Sequence, residues 1–146
     1  MNIDKEFTPY QESFELKELG FDEPCLAWYD KNSVLLADIT IGYESTDFLY
    51  TQEDMDIQQC TAPTFSQAFR FFREKYGLYH HIVPEFYTKG INFNWQILWY
   101  LPEEEWTNHV ISDGTGLYGD NGEYPTQEEA ELACLRKLIK IVKNKS

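Results

Sequence analysis

Residues 64–101, TFSQAFRFFREKYGLYHHIVPEFYTKGINFNWQILWYL, decide the fold of this chain. Phe65, Ala68, Phe69, Phe72 and Tyr76 recur at the spacing of one helix face. Thr64 suits the N-cap, and Gly77 supplies the left-handed residue that ends the helix. A strand over 80–86 follows, then a turn carrying Thr88, Lys89 and Gly90, then a strand over 91–101. That last strand alternates: Ile91, Phe93, Trp95, Ile97, Trp99 and Leu101 point one way, and Asn92, Asn94, Gln96, Leu98 and Tyr100 the other. With the loop at 87–90, Phe86 pairs with Ile91, Pro84 with Phe93, and Ile82 with Trp95, all on the core face. The opposite face gathers His81, Val83 and Glu85 beside Gln96, Asn94 and Asn92, and reads as the open side of an antiparallel sheet. Pro84 lacks an N–H, which predicts an edge strand or a bulge.

Upstream, Thr8-Pro9-Tyr10-Gln11 predicts a first helix with Thr8 as N-cap, Tyr10 and Phe14 facing inward, and Gly20 as its stop. Strands over 25–29 and 34–41 follow, joined by the turn composition Asp30-Lys31-Asn32-Ser33. Residues 44–60 are acidic and without clear periodicity, and read as a long loop carrying at most a short strand or helical turn. Downstream, a third strand is expected over 106–111, and residues 112–125 form a Gly-rich loop with Gly114, Gly116, Gly119 and Gly122. Thr126 and Glu129 open a last helix whose buried stripe is Ala130, Ala133, Cys134, Leu138, Ile141 and Val142. The sum is a single α+β domain over 1–146, with an antiparallel sheet of about five strands and three helices mainly on one face, in the order αββ-αβββα.

Composition narrows the classes. Of the 146 residues, 42% are hydrophobic and 16% aromatic, which supports a folded core over disorder. No apolar run approaches the ~20 residues that span a bilayer, and the opening MNIDKE has no apolar signal core. A cytoplasmic protein without a membrane partner is therefore expected. Cys25, Cys60 and Cys134 are odd in number and widely spaced, and read as reduced, buried thiols. The net charge is −13, with 14 acids against 3 bases over residues 1–60 and 11 against 9 over 61–146. That balance disfavours nucleic acid, whose phosphates need Lys and Arg, and suits a basic protein partner.

The candidate chemical sites fail on geometry. Gly114-Thr115-Gly116-Leu117-Tyr118-Gly119 matches G-x-G-x-x-G, but six residues separate it from the next helix, where a dinucleotide site has none. Asp113, Asp120, Asn121 and Glu123 do not follow EF-hand spacing. His80 and His81 are adjacent on a strand and so face opposite sides, and His109 lies on another strand. His81 and Glu85 stand roughly 13 Å apart along a strand, beyond hydrogen-bond reach. Arg136, Lys137, Lys140 and Lys143 complement the dipole of the last helix. No catalytic residue, metal ligand or cofactor site is assigned. The candidate partner-binding face is His81, Glu85, Asn92, Asn94, Gln96 and Tyr100.

Residues 64–143 resemble double-stranded-RNA-binding domains in topology, but Gln127, Glu128, Glu129 and Glu131 stand where that family presents lysines to phosphates. The segments FRFFREKYGL (69–78), LKELGFDEPC (16–25) and EEAELACLRKLI (128–139) resemble a family of small uncharacterised proteins from gut Bacteroides and their phages and prophages. The resemblance implies a phage-associated accessory protein and carries no activity to any residue. A small acidic intracellular binding protein is the function expected. The alternatives are an acidic inhibitor that mimics nucleic acid on a basic host enzyme, and a small enzyme using the Gly-rich loop.

Overall fold

The computed structural model describes residues 3–37, 49–100, 108–113 and 124–144. They form an α+β protein with helices α1 (Tyr10–Glu18), α2 (Phe65–Tyr76) and α3 (Gln127–Asn144). The strands are β1 (Ala27–Tyr29), β2 (Leu35–Ala37), β3 (Cys60–Ala62), β4 (Leu78–Tyr87), β5 (Gly90–Tyr100) and β6 (Asn108–Asp113). They make two antiparallel sheets, in the orders β2-β1-β3 and β4-β5-β6. The chain divides into two compact units, Met1–Ala68 and Phe69–Ser146, with the boundary inside α2.

One sheet of about five strands is thus corrected to two sheets of three among the described residues. The reason lies at Cys60–Ala62, at the end of the stretch expected to be loop. It is a fully buried strand that pairs with β1. Beyond it, Phe7 bridges Thr64, and the Thr8 N–H donates to the Pro63 carbonyl at 2.9 Å.

In the first unit, α1 ends as its sequence predicts. Gly20 takes φ 95°, its N–H donates to the Lys17 carbonyl, and the Phe21 N–H reaches back to Leu16. This is a Schellman motif, with buried Phe21 and Leu16 as its apolar pair. Its start differs from expectation. Pro9 occupies the cap position without a side-chain bond, and the Thr8 hydroxyl meets Ser13 Oγ at 2.6 Å. Thr8 is drawn inward because its carbonyl accepts from both Ser13 Oγ (2.9 Å) and the Tyr29 hydroxyl (2.8 Å). Phe7, Ala27, Tyr29, Cys60 and Ala62 form the core here, flanked by Tyr10, Phe14 and Leu35. The β1–β2 turn is held by Asp30 Oδ1, which accepts from the N–H groups of Asn32 and Val34 at 2.8 and 3.0 Å. Lys17 Nζ ties the acidic loop down, donating to the carbonyls of Asp56 and Gln59 at 2.9 and 2.6 Å.

The second unit keeps the expected helix–three strands–helix order. Thr64 and Gln67 cap α2 reciprocally: the Gln67 N–H donates to Thr64 Oγ1 at 3.2 Å, and the Thr64 N–H to Gln67 Oε1 at 3.0 Å. Gly77 ends the helix at φ 66°. Helix α3 packs across β5 and β4. Its buried stripe is Ala130, Cys134, Leu135, Leu138, Ile139 and Val142: Leu135 and Ile139 take the places expected for Ala133 and Ile141, which are half-buried. The buried apolar residues of the sheet are Leu78, Trp95 and Ile97, in the half away from the β4–β5 turn. Among the described residues no helix is long and apolar enough to cross a membrane.

Candidate functional site

The β4–β5 hairpin carries the candidate face, and its register is the predicted one: Phe86 opposite Ile91, Pro84 opposite Phe93, Ile82 opposite Trp95. Hydrogen-bond direction follows from one contact. Phe93 exchanges both backbone bonds with Tyr124, at 2.8 and 3.0 Å, on the side of β5 where β6 lies. The odd residues of β5 therefore bond outward from β4, and its even residues bond toward β4. Their partners on β4 are the odd residues, so Pro84 presents its missing N–H to the free edge. That is where proline costs a sheet nothing.

The odd residues of β4 and even residues of β5 share one face. His81 lies opposite Gln96, Val83 opposite Asn94, and Glu85 opposite Asn92. His81 and Glu85 are exposed, and Asn92 and Gln96 half-buried. Tyr100 pairs its backbone with Asn108, and its side chain lies outside the described residues. Asn94 departs from expectation. It is only 6% exposed, and its Oδ1 has no hydrogen-bond partner. An orphaned buried acceptor costs about 1–3 kcal/mol.

The predicted core face is also corrected at its far end. Phe86 is 80% exposed and Ile91 38%, at the turn end of the hairpin beyond Trp95, the last buried apolar residue. With Tyr87 half-exposed, the hairpin ends in an uncovered apolar tip. Alternation alone assigned Phe86 and Ile91 to the core; their distance from the covered half was the signal against it. Around the tip, Glu85, Phe86, Tyr87 and Asn92 line a cleft of about 300 Å³. The Tyr87 hydroxyl donates to Asn92 Oδ1 at 3.2 Å across it.

His80 and His81 face opposite sides as predicted: His80 is half-buried, its ring stacked on Phe69 at 3.7 Å, while His81 is exposed. Burial, followed by the charges of Arg73 and His81, pulls His80 down to about 4. All three cysteines are buried free thiols. Burial pushes Cys25 up to about 12 and Cys60 to about 11, and raises Cys134 too. None supplies a thiolate at neutral pH. Among the described residues no three His, Cys, Asp or Glu side chains converge as metal ligands do. Residues 114–123 of the Gly-rich loop, the side chain of Asp113 and that of His109 lie outside the described residues. A second hollow of about 450 Å³, in the first unit, is lined by Lys31, Asp56, Ile57, Gln58 and Gln59.

The chain matches no protein-family model, no curated protein and no solved structure.

Proposed function

We propose that this chain is a non-enzymatic intracellular binding or accessory protein, phage-associated, that holds a protein partner at the open end of its β4–β5 hairpin. One observation carries the reading: a hairpin tip that leaves Phe86 80% exposed opposite Ile91, with Tyr87 half exposed on the other face. Uncovered aromatics grouped at one end of a hairpin are the usual anchors of protein contacts. The net charge of −13 selects a basic partner and speeds its approach.

The test is affinity capture from a lysate of gut Bacteroides cells, comparing the native chain with a Phe86→Ser, Ile91→Ser double variant. Both residues are exposed, so the fold stability should change by only about 0.5 kcal/mol. The captured protein is expected to be lost with the variant, and unchanged capture would sink the proposal. One observation also favours the nucleic-acid-mimic reading. The excess of 14 acids over 3 bases falls wholly within the first unit, since residues 61–68 carry no charge. In that case capture survives the hairpin variant and is abolished by salt.

A further inference from the structure

We infer that the cleft at the β4–β5 tip takes a cationic side chain, an arginine or lysine on an extended segment of the partner; this rests on the hairpin reading above. The cleft is lined by Glu85, Phe86, Tyr87 and Asn92, which supply one carboxylate, one amide and two aromatic residues, and no cation. Glu85 and Asn92 are directly opposed across the two strands, and Tyr87 follows on the same face. The Tyr87 hydroxyl spends its proton on Asn92 Oδ1, so its oxygen lone pairs remain for an incoming donor.

This arrangement selects charge. A neutral or anionic group seated here covers the Glu85 carboxylate without replacing its water, which is costly. A guanidinium pairs with the carboxylate and lies against the tyrosine ring at once. Two positions along β5 on the same face, Asn94 Oδ1 stands buried and without a hydrogen-bond partner. That oxygen is closed to solvent and Asn94 does not line the cleft, so the cation is held by Glu85 and Tyr87. The larger hollow in the first unit makes no such selection, because Lys31 and Asp56 both line it.

The experiment is an amide chemical-shift titration of the ¹⁵N-labelled full chain with capped Gly-Arg-Gly, against capped Gly-citrulline-Gly as the uncharged isostere. Saturable shifts at Glu85, Tyr87 and Asn92 are expected with the arginine peptide. Binding should be about tenfold weaker with citrulline and in Glu85→Gln, as loss of a charged hydrogen bond and a cation–π contact implies. Equal response to both peptides, or arginine shifts confined to residues 1–60 and untouched by Glu85→Gln, would overturn the inference. Loss of capture in the hairpin double variant together with no arginine preference here removes the cation alone. Unchanged capture removes the hairpin reading itself.

Discussion

His80 shows how much one residue's surroundings decide. Its sequence neighbour His81 is chemically identical, yet His80 lies on the core face against the Phe69 ring and its pKa falls from the ordinary 6.5 to about 4. Folding therefore favours the neutral ring. Between those two values the unfolded chain binds more protons than the folded one, so stability rises with pH there. It is lost as pH falls from 6.5 toward 4, with no contribution from this residue above 6.5. Thermal melts across this range should show the native chain losing stability faster than His80→Phe, the two curves running parallel above it. Curves parallel throughout would refute the assignment. Parity along the strand was enough to separate the two histidines. The stack was not legible, because Phe69 lies on a different element. Asn94 fails in the same way: its face was read correctly, but burial depends on what lies over that face.

At the scale of elements, local chemistry did most of the work. The Schellman end of α1, the Gly77 stop and the Thr64 cap each depend on residues within one helical turn, and each stands where the pattern puts it. Thr64→Ala removes one half of a reciprocal box, so it should lower stability by about 1 kcal/mol, while Thr64→Ser should be close to neutral. Urea midpoints at unchanged slope are the measure; equal loss in both variants would mean the methyl contact matters more than the cap. The cap of α1 was misplaced by one residue because the Thr8 hydroxyl has a competing partner, Ser13, and Thr8's own carbonyl serves Tyr29. Leu135 and Ile139 are buried in place of Ala133 and Ile141 because α3 is apolar over more than one stripe, and the side that is buried is chosen by the sheet it packs on. Register in β4–β5 was readable since a slip of one residue reverses every side chain.

For the whole molecule, charge is the property that composition determines outright. A net charge of −13 on 146 residues sets up self-repulsion that salt screens. The melting temperature should therefore rise as the Debye length falls from about 30 Å at 0.01 M salt to about 8 Å at 0.15 M. A flat or falling response would show that local ion pairs outweigh the net repulsion. The α+β class, the helices, the stops of α1 and α2 with the Thr64 cap, and the pairing within the second hairpin were set by the sequence alone, because they follow from periodicity and nearest-neighbour chemistry. Three things were decided only by tertiary structure: that β3 joins a separate first sheet, that the β4–β5 tip is left uncovered, and that Asn94 is buried with an orphaned acceptor. Each depends on which surfaces meet across distant parts of the chain. A pattern of polar and apolar residues shows what can be buried; only the packing shows what is.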